Sequence, residues 1–328
     1  MLSSPPGARL GLPETAYKRG YRNPSQLRDA IAEAHTTRLW RTTGTAVLDH
    51  LSVVVLLLAA TSPAVRDAGW WALALALPVA VLLAARQLRA LECLVHEASH
   101  FNWSRRHRTA GDILATVLAG APTGARIADY RTSHLLHHGR FGTAEDPDRT
   151  RYEELDLENL DRSGVLPYTL GMIRRFGAYQ RGWLESMGSA PLTTALPFLW
   201  CALVLVLPAR LMGGTGWALA AGLGWLATHL VGLPALRFVG EANEHVYREA
   251  DTVFGGTVSN IGLRQRLLFH PHGDGFHTVH HLWPGVPHHR IARLHRELLA
   301  HDEPYRTTIR YRTRVLEQPR TGLPQGAV

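Results

Sequence analysis

The chain has 328 residues, a formal net charge of +8 and 46% hydrophobic residues, which are gathered in blocks with the charged residues between them. Almost all basic residues are arginines flanking these blocks, which favours contact with an anionic membrane surface over binding to nucleic acid. Only two cysteines are present, both in or beside apolar stretches, which argues against a disulfide framework and against a cysteine-ligated metal cluster.

Four apolar blocks follow one another along the chain. A polar N-terminal segment precedes the first block, and a long section rich in arginine and histidine separates the second block from the third. A helix that crosses a membrane needs about 20 apolar residues. The fourth block meets this length alone, and the others meet it when some flanking residues are counted. The blocks are centred on residues 51–65, 70–85, 190–208 and 216–240.

The distribution of arginine predicts the orientation of these blocks. The loops within each pair of blocks hold one arginine or none, whereas the other polar sections hold nearly all of them. By the positive-inside rule, those sections and both termini are cytoplasmic. Four buried helices of a soluble protein would leave this charge asymmetry unexplained. We therefore predict an all-α integral membrane protein with four transmembrane helices in two hairpins and a helical cytosolic cap. Its parts are a cytosolic segment (1–45), hairpin 1 (46–95), a cytosolic section (96–189), hairpin 2 (190–240), a second cytosolic section (241–314) and a disordered tail (315–328).

Histidine supplies the candidate functional residues, because most of its clusters share one spacing. On a helix, positions i, i+3 and i+4 lie on one face. Imidazole binds iron, copper, zinc and nickel. A structural zinc ion takes four protein ligands, so eight clustered histidines are too many for one such ion and suit two metals with open positions. The clusters are HEASH (His96, His100), SHLLHH (His134, His137, His138) and FHTVHH (His277, His280, His281).

The clusters also share one position relative to the predicted membrane. His96 and His100 follow the second block on the same helix, and His245 follows the fourth block in the same way. The two hairpins should thus deliver their histidines to one cytoplasmic face. A solvated histidine-rich tract would not explain this placement. A membrane metal transporter is a further alternative, but it should place its ligands near the midplane of the bilayer.

The series HEASH, YRTSHLLHHGRFGTAEDPD and GDGFHTVHHLWPGVPHHRIARLH resembles the three histidine boxes of integral-membrane fatty acid desaturases and related hydroxylases. The resemblance covers most of residues 45–300. It implies a membrane stem of four helices under a cytosolic cap, a non-haem di-iron centre and molecular oxygen as the oxidant. It also implies that the iron ligands are His96, His100, His134, His137, His138, His277, His280 and His281, with His245 as a further ligand after the last membrane helix.

Carboxylates near these histidines are candidate partners for the imidazole rings. A ligating histidine usually donates its other ring N–H to an acceptor. Ordinary helix caps or surface carboxylates are the alternative. The family often has an asparagine four residues before the histidine that follows the last membrane helix, and Glu241 at that place allows a carboxylate near the iron. The other candidates are Glu97, Asp146, Asp148 and Asp274.

The resemblance implies a membrane desaturase that uses oxygen to introduce a double bond into an acyl chain or another lipid-like substrate. The alternative is a lipid or carotenoid hydroxylase or ketolase, since both reactions begin by removing the same kind of hydrogen atom. A long apolar tunnel to the metals would indicate an acyl chain, and a short polar pocket would indicate a small molecule.

The chain has no HPGG-type haem-binding segment and no set of cysteines for an iron–sulfur cluster. We therefore expect electrons from an external carrier, such as a ferredoxin or a cytochrome b5-like protein with its reductase. The expected location is the plasma membrane of a bacterium, as a multi-pass protein.

Overall fold

The computed structural model describes residues 21–186 and 191–324. This part of the chain is mostly helical. Three of its helical segments are long and apolar enough to cross a membrane: Leu39–Asp67, Trp70–Ser99 and Thr194–Glu241. Large apolar side chains project outward along all three, including Leu48, Leu75 and Leu219, each more than half exposed. Apolar surfaces of this extent mark contact with a membrane or with another protein.

The helices of the described residues are numbered here in chain order. They are α1 (Arg28–Ala34), α2 (Leu39–Ala60), α3 (Pro63–Asp67), α4 (Trp70–Ser99), α5 (Arg108–Ala115), α6 (Ala121–Thr123), α7 (Ile127–Arg140), α8 (Pro147–Glu154), α9 (Val165–Ser186), α10 (Pro191–Cys201), α11 (Leu207–Ala227), α12 (Leu233–Glu241), α13 (Val253–Gly256), α14 (Leu263–Leu268), α15 (His277–Leu282), α16 (His288–His301) and α17 (Glu303–Thr308). Short 3-10 turns cover Ser25–Leu27, Leu157–Asn159, Tyr247–Glu249 and Pro271–Gly273, and π-helical turns cover Thr116–Gly120, Ala202–Val206 and Thr228–Gly232.

Helices α2 and α4 form the first hairpin and pack along a fully buried seam. Val53 and Leu57 of α2 belong to the same core cluster as Ala84 and Leu88 of α4. At 1.5 Å per residue, the 30 residues of α4 span about 45 Å, whereas the hydrocarbon core of a bilayer is about 30 Å thick. Helix α4 is therefore long enough to cross a membrane and still project beyond it. Its last turns carry the first histidines.

The segment Thr194–Glu241 has 48 residues and folds back on itself at Gly214. The backbone of Gly214 has φ 82° and ψ −176°, which is not helical. On either side of this break, Ala209 packs with Ala218 and Ala221 in one buried cluster. Small residues allow two helices to approach closely. The break lies in MGGTG, the sequence that we expected to separate the third and fourth apolar blocks.

A small three-stranded sheet amends the prediction of an all-α fold. Strand β1 (Ser259–Asn260) pairs in parallel with β2 (Arg310–Arg312), and β2 pairs antiparallel with β3 (Arg320–Thr321). The sheet ties the C-terminal segment to the cap.

The expected disordered tail over 315–328 is folded onto the cap as far as residue 324. The N–H of Leu323 donates to the carbonyl oxygen of Arg306. The Leu323 side chain is buried in the cluster that holds Tyr305 and Ile309. The end of that prediction, 325–328, and the first twenty residues of the N-terminal segment lie outside the described residues.

Candidate metal centre

Four chain segments bring the predicted histidines together. Helix α4 carries His96 in its last turn, and His100 directly follows its end at Ser99. Helix α7 carries the second group and α15 the third, in each case at positions i, i+3 and i+4 of one helical face. His245 follows the end of α12 and is buried. Two of the long apolar segments, together with α7 and α15, therefore contribute to the same region.

Five histidines form what we call the first cluster, and one ring nitrogen from each lies within 4.8 Å of those of the others. The closest approaches are between Nε2 atoms. His96 and His138 each lie 2.9 Å from His280, and His134 lies 2.9 Å from His100 and 3.1 Å from His138. The members of the first cluster are His96, His100, His134, His138 and His280.

The second cluster comprises His137, His245 and His281, whose nitrogens satisfy the same distance limit. The Nε2 atoms of His137 and His281 are 3.3 Å apart. His277 adjoins this cluster, with its Nε2 atom 3.0 Å from that of His245. The rings of His138 and His281 stack with centroids 4.3 Å apart, so the two clusters are neighbours. All nine predicted histidines are thus brought into one region.

The orientation of the rings tests whether a metal fits. The Nδ1–H groups of His96 and His137 donate to carboxylates at 3.1 and 2.8 Å, and that of His245 donates to the Gly256 carbonyl at 3.2 Å. A neutral imidazole that donates from Nδ1 has only a lone pair at Nε2. Each of these three lone pairs lies within 3.3 Å of the Nε2 atom of another histidine, an arrangement that a cation between the rings would stabilise. With metal–nitrogen bonds of about 2.1 Å, ligands at right angles are about 3.0 Å apart, close to the distances observed here.

Burial keeps most of these rings in the neutral form that binds metals. It lowers the pKa of His134, His138 and His280 well below the ordinary value, and the neighbouring imidazoles lower it further. For His137, burial also acts to lower the pKa, but the carboxylates of Asp148 and Asp146 outweigh it, and the pKa is raised. The region therefore combines neutral ligands with one imidazole that is held by acidic groups.

Asp274 and Asp146 are the predicted carboxylates that contact candidate ligands. Asp274 accepts the Nδ1–H of His96 and also accepts from Arg89 at 2.9 Å. Asp146 is fully buried at the start of α8. It accepts the Nδ1–H of His137 together with the backbone N–H groups of Gly142 and Asp148. Each aspartate thereby fixes the direction of one histidine ring.

The other three predicted carboxylates make different contacts. Asp148 lies 3.6 Å from Nδ1 of His137, at the edge of ion-pair distance. Glu241 accepts the hydroxyl of Tyr179 at 2.7 Å. Glu97 accepts the backbone N–H of His288 at 2.7 Å.

A buried network behind Asp274 was missed by the sequence reasoning. Arg89 pairs with Asp274 and lies 3.7 Å from Glu92, and His270 lies 3.4 Å from both Asp274 and Glu244. The sequence did offer an indication of this network, because Arg89 and Glu92 lie in a helix that continues an apolar run. Charged residues next to a membrane segment are costly to bury and mark functional regions.

A small polar cavity lies against both clusters. Its volume is about 70 Å³. His134 of the first cluster and His245 of the second form part of its wall. Most of the remaining wall is polar or charged, including Arg89, Asp148, Arg151, Tyr179, Glu241 and Glu244. Small molecules or substrate groups that reach the histidines through this cavity would meet charged side chains.

Comparisons with known proteins agree with this chemistry. Residues 68–313, well over half of the chain, match the family described as fatty acid desaturase. The chain is also similar to dihydrorhizobitoxine desaturase of Bradyrhizobium elkanii, with 26% identity over 257 residues. That alignment covers 70% of this chain and 68% of the relative.

Proposed function

The chain belongs to the fatty acid desaturase family and is an enzyme with a histidine-rich metal site, and on that premise we propose that it uses oxygen to introduce a carbon–carbon double bond through two iron ions. Membership of the family implies a lipid-like substrate. We propose an acyl chain or a related amphiphilic molecule. The resemblance of the three histidine groups to the family's histidine boxes supports iron as the metal.

The convergence of nine imidazoles into two adjoining groups is the observation that carries the proposal. The first cluster offers five nitrogens, and the second offers three with His277 beside them. In this assignment His96, His100, His134, His138 and His280 hold one ion, and His137, His245, His277 and His281 hold the other. The bound irons would supply the oxidising power that side chains lack, while the protein orients substrate and ligands.

The overall reaction determines how many electrons and protons the protein must receive from outside. Two C–H bonds of adjacent carbons break and one C=C bond forms, which releases two electrons and two protons. Reduction of one oxygen molecule to two water molecules takes four electrons and four protons. The remaining two electrons come from a reduced carrier protein, such as a ferredoxin or a cytochrome b5-like protein with its reductase, and the remaining two protons come from water.

We also propose four membrane crossings, in the plasma membrane of a bacterium, with both termini in the cytoplasm. The segment Thr194–Glu241 would cross the membrane twice, because its 48 residues contain the break at Gly214. The concentration of arginine in the N-terminal, middle and C-terminal sections supports this orientation. The candidate metal centre would then face the cytoplasm, where reduced carrier proteins are available.

The proposal is tested by expressing the protein in a bacterial membrane with a ferredoxin and its reductase, followed by mass spectrometry of lipids and small acids. Desaturation gives products that lack two hydrogen atoms, and His280→Ala should abolish them. His301→Ala is the matched control, because the His301 side chain is exposed and belongs to neither cluster. Products with one added oxygen atom would instead indicate a hydroxylase. Unchanged activity in His280→Ala would contradict the metal assignment.

A further inference from the structure

Two cavities meet at Trp183, and they differ in chemistry. The polar cavity beside the histidines has a volume of about 70 Å³. A second cavity, of about 320 Å³, lies between α9, α10 and α12 and is lined mainly by apolar side chains, among them Phe198, Leu230 and Leu233. Trp183 lies in the wall of both. An amphiphilic molecule could therefore place its two ends in two different environments.

The boundary between the cavities is built from buried polar groups. Arg237 lines the apolar cavity and lies over the Trp183 ring, with its guanidinium carbon 3.8 Å from the ring centroid. Its Nε–H donates to the hydroxyl of Tyr179 at 3.0 Å, and that hydroxyl donates to Glu241 in the polar cavity. Arg237 also pairs with Glu92 at 2.7 Å. These groups are satisfied by one another and need no ligand, which leaves the Trp183 side of the boundary as the place where a molecule could reach from one cavity into the other.

Arg151 differs from these residues, because its guanidinium is poorly paired. It lines the polar cavity, and its nearest carboxylates are Glu241 at 3.4 Å and Asp148 at 4.0 Å. Charge-assisted N–H···O bonds are usually about 2.7–2.9 Å long. Burial acts against the charge of Arg151, but Asp148 and Glu241 raise its pKa above the ordinary value, so it remains a cation. Its fork of N–H donors is available to a ligand in the cavity.

With two iron ions bound, the net charge of the site would favour an anion beside Arg151. This preference for an anion rests on the proposed function. Two divalent ions together with Arg89 and Arg151 outweigh the four carboxylates that line the cavity, Asp148, Glu241, Glu244 and Asp274. A guanidinium matches the geometry of a carboxylate through two parallel hydrogen bonds. A thioester or an amide carries no charge, and its one carbonyl oxygen cannot accept two parallel charge-assisted bonds as a carboxylate does, so it should bind more weakly beside Arg151.

We propose that the polar cavity binds the free carboxylate of a small amphiphilic acid through Arg151, with the apolar part of that acid in the 320 Å³ cavity. A group of the size of a water molecule needs about 10–15 Å³ of cavity volume. The polar cavity thus holds about five to seven such groups, enough for a carboxylate and the first few carbons.

The test compares octanoate with octanamide, which has nearly the same shape but no charge. Binding of each labelled compound to the iron-loaded protein in nanodiscs is measured by equilibrium dialysis, with empty nanodiscs as the blank. We expect octanoate to bind at least about tenfold more tightly than octanamide, the size of one hydrogen bond to a charged group. Arg151→Gln should remove this preference, and Arg151→Lys should retain part of it.

Arg149→Gln is the matched control, since Arg149 lies on the same helix and its guanidinium pairs with Glu153. It should keep the preference for octanoate. In a second variant, Leu230→Trp, the apolar cavity is partly filled, and affinity should fall more for octanoate than for butanoate.

The inference is overturned if wild-type protein binds octanoate and octanamide equally or binds neither, or if Arg151→Gln keeps the preference. Iron content and desaturated products are measured on the same preparations. Normal iron and normal desaturation with no preference for octanoate would reject the carboxylate site alone. Absence of iron from the wild-type protein would reject the proposed function itself.

Discussion

At the scale of single residues, the histidine rings depend on the groups behind them. Asp146 and Asp274 accept the Nδ1–H groups of His137 and His96, and the Gly256 carbonyl does the same for His245. Because these contacts fix the rings, they direct the Nε2 atoms towards the other histidines. Replacement of a carboxylate that orients a ligating histidine in this way commonly lowers the metal affinity.

Asp146 both accepts the Nδ1–H of His137 and caps α8, and its replacement by asparagine tests the first role while keeping the second. Asparagine caps a helix about as well as aspartate, so α8 should remain folded. We expect iron affinity to fall by about 10- to 100-fold, because the ring of His137 loses its anionic partner. The measurement is competition for iron with a chelator of known affinity.

Asp148→Asn is the control for that experiment. Asp148 is nearly a third exposed and lies 3.6 Å from the same ring nitrogen, so its replacement should have a much smaller effect. Equal effects of the two substitutions would show that overall charge, rather than the direct hydrogen bond, governs iron affinity.

At the scale of helices, the break at Gly214 determines how the third long apolar segment, Thr194–Glu241, folds. Its combination of positive φ with ψ near 180° is accessible almost only to glycine. The parts of α11 before and after the break can then fold back on each other through Ala209 and Ala218, instead of continuing as one rod. This reversal places α12, and with it His245, on the same side as the end of α4.

Gly214→Ala should therefore lower the stability of the protein. A side chain at this backbone conformation costs about 1–3 kcal/mol, so the midpoint of thermal unfolding in detergent should decrease. Gly177→Ala is the control, since Gly177 lies within α9 and has no neighbouring atom within 4 Å of an added Cβ. Alanine there should leave the midpoint unchanged or raise it. A Gly214→Ala protein as stable as the wild type would contradict the assigned turn.

The parts of this fold that could be predicted are those that a pattern within one short stretch of sequence indicates. Long apolar runs and the repeated i, i+3, i+4 spacing predict the helices and the faces that carry the histidines. The sheet escaped prediction, because strands of two or three residues have no measurable period. Among the carboxylates, sequence proximity could not separate Asp146, which contacts a ring, from Glu97, which caps another segment. The polar cavity was also out of reach, since Arg151 and Glu241 meet only in the folded chain.

At the scale of the whole molecule, the candidate metal centre forms only when both hairpins and the cap have assembled. His96 and His280 are 184 positions apart, yet their Nε2 atoms are 2.9 Å apart. Metal ions that bind such a site stabilise the folded state over the unfolded chain. The arrangement also requires that the ends of α4 and α12 emerge on the same side of the membrane.

That requirement is tested with single cysteines in intact cells and a thiol reagent that cannot cross membranes. Thr215→Cys, beside the helix break, should be labelled from outside. Arg296→Cys, on the exposed face of α16, should be labelled only after the cells are opened. The native Cys93 and Cys201 are buried, and unsubstituted protein shows their background. Labelling of both sites from the same side would contradict the proposed topology.

The most direct measurement of the central claim is the iron content of purified protein, combined with X-ray absorption at the iron edge. Our account predicts two iron ions per chain, each with nitrogen ligands at about 2.1 Å and the outer-shell signature of imidazole. It also predicts that His280→Ala and His281→Ala each reduce the content towards one ion. A single ion per chain in the wild-type protein, or iron without imidazole ligands, would contradict the account.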